Sequence, residues 1–484
     1  MKFKVRVVFG LFVILVVYMS FRVIVQELPE EPRYDGYDVN PPEIKKEIPK
    51  AIPNPIPRGA PPEAPLVVEN KFAELEKKYA EDTLAKKNNL SMRNESPSAN
   101  RSLDVPLANM DSRQSIVNWF LQRYTLDWDY QLTKSPWEIP HGWINSRQIH
   151  PEHTPQLGAI LREMTNRKII SADVGHRGTQ LKLLLTLEGG QKVSFKPKWY
   201  EREYIIEGKP YDGKDRHNAE IVAFHLSRIL SLRKVPLAVG RVVDLENEIK
   251  PVASPKLLKT FFVKDENTCF LGKCMYCKTE EDGACGDGTI MEGTLILWLP
   301  RPWTNFRLRR HPWARTYVPG KLARWETKPK GYCEYVQHYS PYNEGPLLLD
   351  ILDASVFDYL IGNADRHHYE TFKEHQNSML VMLDNAKSFG NPTHDEKSIL
   401  APVQHCCLLR QTTWERLQVL KDGVLSQVLR KIVSIDPISP LVTDAHYEAM
   451  ERRLLDIYDL IDECILKHGI KEVLMEDRRF SPKS

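Results

Sequence analysis

Two short segments of this chain, Asp365-Arg-His-His-Tyr-Glu370 and Leu383-Asp384-Asn385, set carboxylates and an amide on either side of one apolar run. Those are the groups a phosphoryl transfer needs. One acid must orient the acceptor hydroxyl, and another must hold the divalent cation that screens the phosphates. Asp365 and Asp384 are the candidates for these two roles. Taken alone, the first segment fits a polar turn, or a structural metal held by its histidines and acids, equally well, because short motifs often arise by coincidence.

The flanking sequence supplies a scaffold. Residues 347–361 read as a helix, and Ser378-Met-Leu-Val-Met-Leu383 is an apolar run of the length of a buried strand. A phosphotransfer site also requires a lysine and a helix acid on a strand-rich lobe upstream. Residues 178–187 and 191–197 read as two strands joined by the turn Glu188-Gly-Gly190, with Lys196 at the end of the second, where Pro197 stops the ladder. Asp215-Arg-His-Asn-Ala-Glu220 then opens an apolar helix over residues 221–232.

On a regular helix, residues five apart point about 140° from one another. Asp215 and Glu220 are therefore not expected to face one phosphate. Asp215, at the helix start, is better placed to meet the lysine or a metal, with Glu220 supporting its neighbours; the reverse assignment stays open. Residues 291–300 read as an apolar strand between two lobes, where a bilobal kinase enters its adenine-contacting hinge. There is no G-x-G-x-x-G loop, and Gly175-His-Arg-Gly178 is a glycine-poor relative of one.

The rest of the 484 residues bounds the setting. Lys2, Lys4 and Arg6 precede an apolar run at 7–21 with no convincing cleavage site after it, which reads as a signal anchor that leaves the remainder lumenal. We divide the chain into a cytosolic tail (1–6), an anchor (7–25), a proline-rich lumenal stem (26–110) and a catalytic domain (111–484). The stem carries eleven prolines between residues 26 and 65, a polar stretch at 71–87 that suits a helix, and glycosylation sequons at Asn89, Asn94 and Asn100. A net charge of +3 gives no reason to expect a nucleic-acid partner. Residues 301–324 are locally basic and include Trp303, Trp313 and Tyr317; they read as a solvated loop anchored by tryptophans, or as a surface for an anionic acceptor.

All eight cysteines follow residue 260: Cys269, Cys274, Cys277, Cys285, Cys333, Cys406, Cys407 and Cys464. An even number in a lumenal domain favours disulfides. The first four are too tightly spaced for paired zinc knuckles. Adjacent Cys406 and Cys407 cannot easily pair with each other, so each should reach a distant partner, and the pattern leaves the connectivity open. Cys464 ends the stripe Met450, Leu454, Ile457, Ile461, which marks the buried face of a C-terminal helix.

Taken together, Gly178-Thr-Gln-Leu-Lys182, Phe195-Lys-Pro197, Asp215-Arg-His-Asn-Ala-Glu220, Cys274-Met-Tyr-Cys277, Gly362-Asn-Ala-Asp-Arg-His-His-Tyr-Glu370, Leu383-Asp-Asn-Ala-Lys-Ser-Phe-Gly390 and Cys406-Cys407 resemble the secretory-pathway kinases of the family with sequence similarity 20, most closely its glycosaminoglycan xylosylkinase branch. The likeness runs from about residue 162 to 478. It implies an atypical bilobal protein-kinase-like α+β fold, with a strand-rich N-lobe at about 160–299 and a helical C-lobe at about 300–480, stapled by disulfides. It implies that Asp365 is the catalytic acid and that Asp384 and Asp215 hold the metal, manganese or alternatively magnesium. Gln180 and Lys196 would contact the ATP phosphates, Glu370 would belong to the nucleotide site, and Ile296, Leu297, Trp298 and Leu299 would frame adenine. The implied bridges are Cys269 with Cys285, Cys274 with Cys277, Cys333 with Cys406 and Cys407 with Cys464.

Residues 385–392 and 359–364 resemble the xylosylkinase branch, whereas the family's protein kinase tends to carry glycine and arginine after the metal Asp-Asn. Asp215 is acidic where the family's pseudokinase departs. The resulting expectation is a single-pass type II Golgi membrane enzyme that phosphorylates the 2-hydroxyl of xylose in the proteoglycan linkage region, possessing a saccharide acceptor and capable of homo- or hetero-oligomers within the family. A secreted kinase for Ser-x-Glu sites and a non-catalytic scaffold are the rival expectations.

Overall fold

The computed structural model describes residues 112–175 and 178–476. The expected tail, anchor, stem, polar helix and sequons lie outside the described residues, as do His176 and Arg177. Among the described residues no helix is long and apolar enough to cross a membrane.

The first described helix is α1 (Arg113–Tyr124), capped by the Ser112 hydroxyl, which accepts from the Ser115 amide at 3.2 Å. Beyond α2 (Gln156–Asn166) an antiparallel sheet forms from β1 (Ile169–Val174), β2 (Leu183–Leu187), β3 (Lys192–Pro197), β4 (Ala238–Asp244) and β8 (Ile290–Leu297), in the order β1-β2-β3-β8-β4. Gly189 and Gly190, at φ 90° and 85°, make the tight β2–β3 turn that the sequence marks. Lys196 pairs with Thr294 across β3 and β8, which fixes its place on the sheet. Helix α3 (His217–Ile229) packs against β4 and β8, buried along its whole length. A small side sheet of β5 (Phe261–Lys264), β6 (Asn267–Phe270) and β7 (Ala284–Cys285) carries the Cys269–Cys285 bridge.

The second lobe is organised by α4 (Leu347–Ile361), all of whose residues are buried. A helix apolar on every side belongs in the middle of a core. The acid of its first turn is neutralised there: Asp350 accepts from Arg147 at 2.8 Å, Lys234 at 2.6 Å and Arg410 at 2.7 Å. Burial opposes ionisation of Asp350, but Lys234, Arg147 and Arg410 outweigh it and hold the carboxyl below the usual range. Gly362, left-handed at φ 71°, stops α4 and releases the loop that carries Asp365.

Two local readings need correction. The basic stretch 301–324 is not simply a loop, since β9 (Phe306–Arg310) lies within it and pairs antiparallel with β10 (His368–Phe372). Its partner comes late in the chain, so no local pattern announces the pairing. Residues 378–382 are buried as expected and Leu383 is half-buried, but they form no continuous strand. Val381 makes a single bridge to Glu370, while the amides of Met379, Leu380 and Met382 bond to Ser146, Asp350 and Lys234 in turn.

The remaining bridges are Cys274–Cys277, Cys333–Cys406 and Cys407–Cys464, the pairs that the resemblance implies, and no cysteine is left free. Cys406 ends α5 (Ala401–Cys406), and the last bridge pins α7 (Asp444–His468), whose stripe of Met450, Leu454, Ile457, Ile461 and Cys464 faces the core. Before it, α6 (Val424–Val433) packs against α3 and α1.

Candidate active site

Lys196 is the hub of the cleft. Its Nζ lies 3.0 Å from Asp215, 2.8 Å from Glu220 and 2.5 Å from Asp384. Burial works against its charge, but these three carboxylates outweigh that effect and keep the ammonium ionised well above its ordinary range. Lys196 in turn holds the Asp384 carboxyl below its usual range.

Asp215 and Glu220 therefore meet on one group, against the expectation from helical spacing. The reason is local. Helix α3 starts only at His217, with Arg216 extended before it, so Asp215 does not follow the turn of the helix and is free to point back at Lys196.

Asp384 sits at φ 57°, a conformation aspartate tolerates better than most side chains, and its own side chain remains 71 % exposed. The next residue is fixed: Asn385 donates its backbone N–H to Glu220 at 3.0 Å and its amide N–H to the same carboxylate at 3.1 Å. Arg366 secures the loop from the other side. It grips Asp358 through two bonds of 2.5 and 2.8 Å, and donates to the Leu383 carbonyl at 2.8 Å and the Asn385 side chain at 2.7 Å. Such a bidentate pair fixes direction as well as position.

Asp365 occupies the loop after α4. Its amide donates to the Asn363 side chain at 3.1 Å, and one carboxylate oxygen accepts from the Tyr317 hydroxyl. Glu370, on β10, faces the Asp384 loop through the Val381 bridge, and burial raises its carboxyl while Arg366 partly offsets this. Ile296 and Leu297 lie on β8 and Leu299 is buried just beyond it, while Trp298 is 37 % exposed and its carbonyl accepts from Gln191 at 3.0 Å. Gln180 is half-buried in the loop before β2, beside Thr179, whose carbonyl accepts from the Tyr276 amide at 3.3 Å.

Three further side chains of the cleft receive no role from the sequence, although Lys182 and Lys387 fall within its family motifs. The Lys182 ammonium acts on Asp384. Lys387 lies in the combined field of Asp215, Asp365 and Asp384 and donates to the Gly213 carbonyl. Tyr317 reaches Asp365 from the basic stretch.

Among the described residues no three or more His, Cys, Asp or Glu side chains are arranged to cage a metal by themselves. A metal bound together with a nucleotide takes one or two carboxylates from the protein and its other ligands from phosphate and water. The hard oxygen donors of Asp384 and Asp215 fit such an ion.

Residues 135–473 match the family model described as Golgi casein kinase, C-terminal, Fam20. The chain belongs to the Fam20 family. Among its Fam20 relatives, the human glycosaminoglycan xylosylkinase is 56 % identical over 346 residues, covering 71 % of this chain and 84 % of that protein. The structure of hydra Fam20 with sugar superposes with a TM-score of 0.69 at 47 % identity, covering 72 % of this chain and 99 % of that one. The Golgi casein kinase with Mn/ADP bound superposes with a TM-score of 0.68 at 29 % identity, covering 80 % and 96 %. The chain thus has the α+β kinase fold read from its sequence, in a family of secretory-pathway kinases.

Proposed function

We propose that this chain is a glycosaminoglycan xylosylkinase, which transfers the γ-phosphoryl group of ATP to the 2-hydroxyl of xylose in the linkage between glycosaminoglycan and protein. Phosphoryl transfer rests on one observation above others: Lys196 gathers Asp215, Glu220 and Asp384 at one point of the cleft. The acceptor is drawn from the relative named glycosaminoglycan xylosylkinase, which is more similar to this chain than the casein kinase is.

In this reading Asp365 accepts the proton of the sugar hydroxyl and holds its oxygen in line with the γ-phosphorus. Lys196 and Gln180 bind the phosphates; Ile296, Leu297, Trp298 and Leu299 border the adenine; Glu370 completes the nucleotide site. Asp384 and Asp215 would hold manganese, or magnesium in its place. The bound ion supplies neutralisation of the charge spread over the phosphate oxygens. Glu220 and Asn385 keep the Asp384 loop against the N-lobe while this happens.

The same reading places the enzyme in the Golgi membrane as a single-pass type II protein, with its catalytic domain lumenal, its stem glycosylated at Asn89, Asn94 and Asn100, and partners drawn from its own family. Incubating the lumenal domain with a galactosyl-xylose acceptor, ATP and manganese should yield a phosphorylated sugar. Folded, nucleotide-binding protein that yields none would overturn the proposal, and phosphorylation of a Ser-x-Glu peptide instead would establish the protein-kinase alternative.

A further inference from the structure

Tyr317 does not belong to any motif of the nucleotide site, yet its hydroxyl donates to the carboxylate of Asp365. It also lies 2.9 Å from Nδ1 of His367, and its ring meets the His367 ring edge-on at 5.3 Å. From the opposite lobe, Tyr211 in the segment between β3 and α3 packs edge-on against Tyr317 at 4.6 Å, with Lys209 over its own ring at 5.8 Å. Tyr317 thus holds a carboxylate that is 25 % exposed, and Tyr211 from the other lobe backs the Tyr317 ring.

The position of that hydroxyl has a chemical meaning. A general base must accept a hydrogen bond from the group it deprotonates. When the acceptor is a sugar, its hydroxyl has to donate to Asp365, and in this structure a phenol already makes that bond. If nothing held the carboxylate, water would. The water oxygen would then attack the γ-phosphorus, the bond to the ADP oxygen would break, and one water proton would pass to Asp365, spending ATP as inorganic phosphate.

We propose that Tyr317 is a positioning residue whose hydroxyl stands in for the acceptor hydroxyl at Asp365, keeps water off that carboxylate, and yields its place when the sugar enters between Tyr317 and Tyr211. Tyr317 is 38 % exposed, so its ring can swing outward without opening the core. The inference rests on the proposed role of Asp365.

The test compares the wild-type lumenal domain with Tyr317→Phe, Tyr211→Ala, Asp365→Asn and the double variant Tyr317→Phe/Asp365→Asn. Three quantities are measured: ADP released from manganese-ATP without acceptor, kcat and KM for a galactosyl-xylose acceptor, and affinity for a fluorescent ADP analogue. Tyr317→Phe should raise acceptor-free hydrolysis roughly tenfold, the factor one hydrogen bond to a charged group is worth, and lower the acceptor KM with nucleotide affinity unchanged. Tyr211→Ala should move both quantities in the same direction, and the double variant should lose the added hydrolysis. Hydrolysis and acceptor KM that match wild type in a folded Tyr317→Phe protein would overturn the inference, as would a parallel loss of nucleotide affinity, which marks a merely structural role. Transfer that survives in Asp365→Asn would instead overturn the role of Asp365 itself.

Discussion

Glu220 and Asn385, 165 positions apart, are joined by two hydrogen bonds of 3.0 and 3.1 Å. One belongs to the helix that covers the N-lobe sheet and the other to the loop that presents Asp384. One of the carboxylates that steady Lys196 thus also ties the two lobes together at that end of the cleft.

Removing that carboxylate should be felt twice. Glu220→Ala leaves two buried donors of Asn385 unpaired, and we expect a stability loss of about 1–3 kcal/mol in urea unfolding. Because the Asp384 loop loses its register, turnover should fall roughly 100-fold, the scale of a small misplacement. Glu220→Gln, which keeps an acceptor oxygen, should restore most of the stability and less of the turnover.

Asp384 is the opposite case, an exposed side chain whose loss should spare the fold. Its left-handed backbone makes asparagine the cleaner substitution, since alanine is strained there. Asp384→Asn should lower manganese-dependent turnover by at least about 100-fold, the scale lost with a group that stabilises transition-state charge. Thermal melting should move little. A large fall in melting temperature would mark Asp384 as structural.

Asp436 gives the domain a pH-dependent stability. Burial raises its carboxyl to about 6, partly offset by bonds from the amides of Gly240 and Ile438, both at 3.1 Å. A carboxyl whose folded pKa exceeds its unfolded value binds its proton more tightly in the native state. It stabilises the fold fully below about 3.8 and loses that contribution as pH rises through about 6. Asp436→Asn should therefore flatten the decline between pH 4 and 6; at neutral pH it relieves up to about 3 kcal/mol, at about 1.4 kcal/mol per pKa unit, less the cost of setting its Nδ2 against one of the two amide donors. Melting curves of both proteins across that range provide the check.

The Cys407–Cys464 bridge closes a separation of 57 residues and fastens α7 to the end of α5. Replacing both cysteines with serine should cost about 2–4 kcal/mol. Because none of the side chains gathered at Lys196 lies on α5 or α7, nucleotide affinity at low temperature should survive; denaturant midpoints and ADP titration together test both halves.

Much of this molecule is written locally. The helix Leu347–Ile361 follows from an apolar run too long for a strand, Lys196 from its place at a strand end before proline, and the α7 stripe from its spacing. Those features depend on neighbours in the chain, and neighbours are what a sequence displays. The family likeness added the cysteine pairs that spacing left open.

What the sequence could not contain is convergence. Periodicity states which face of an element is buried but not which partner buries it. Only packing brought Asp215 and Glu220 onto one ammonium, because Arg216 is extended and α3 begins after it. Only packing made β9 a strand, through a partner that appears after Asp365, and carried Tyr317 to that carboxylate from a stretch that reads as a basic loop. The residue types of a phosphoryl-transfer site were determined by the sequence alone; their meeting in one cleft was decided by the tertiary structure, because the bonds that join them span positions as far apart as 165 and 188 residues.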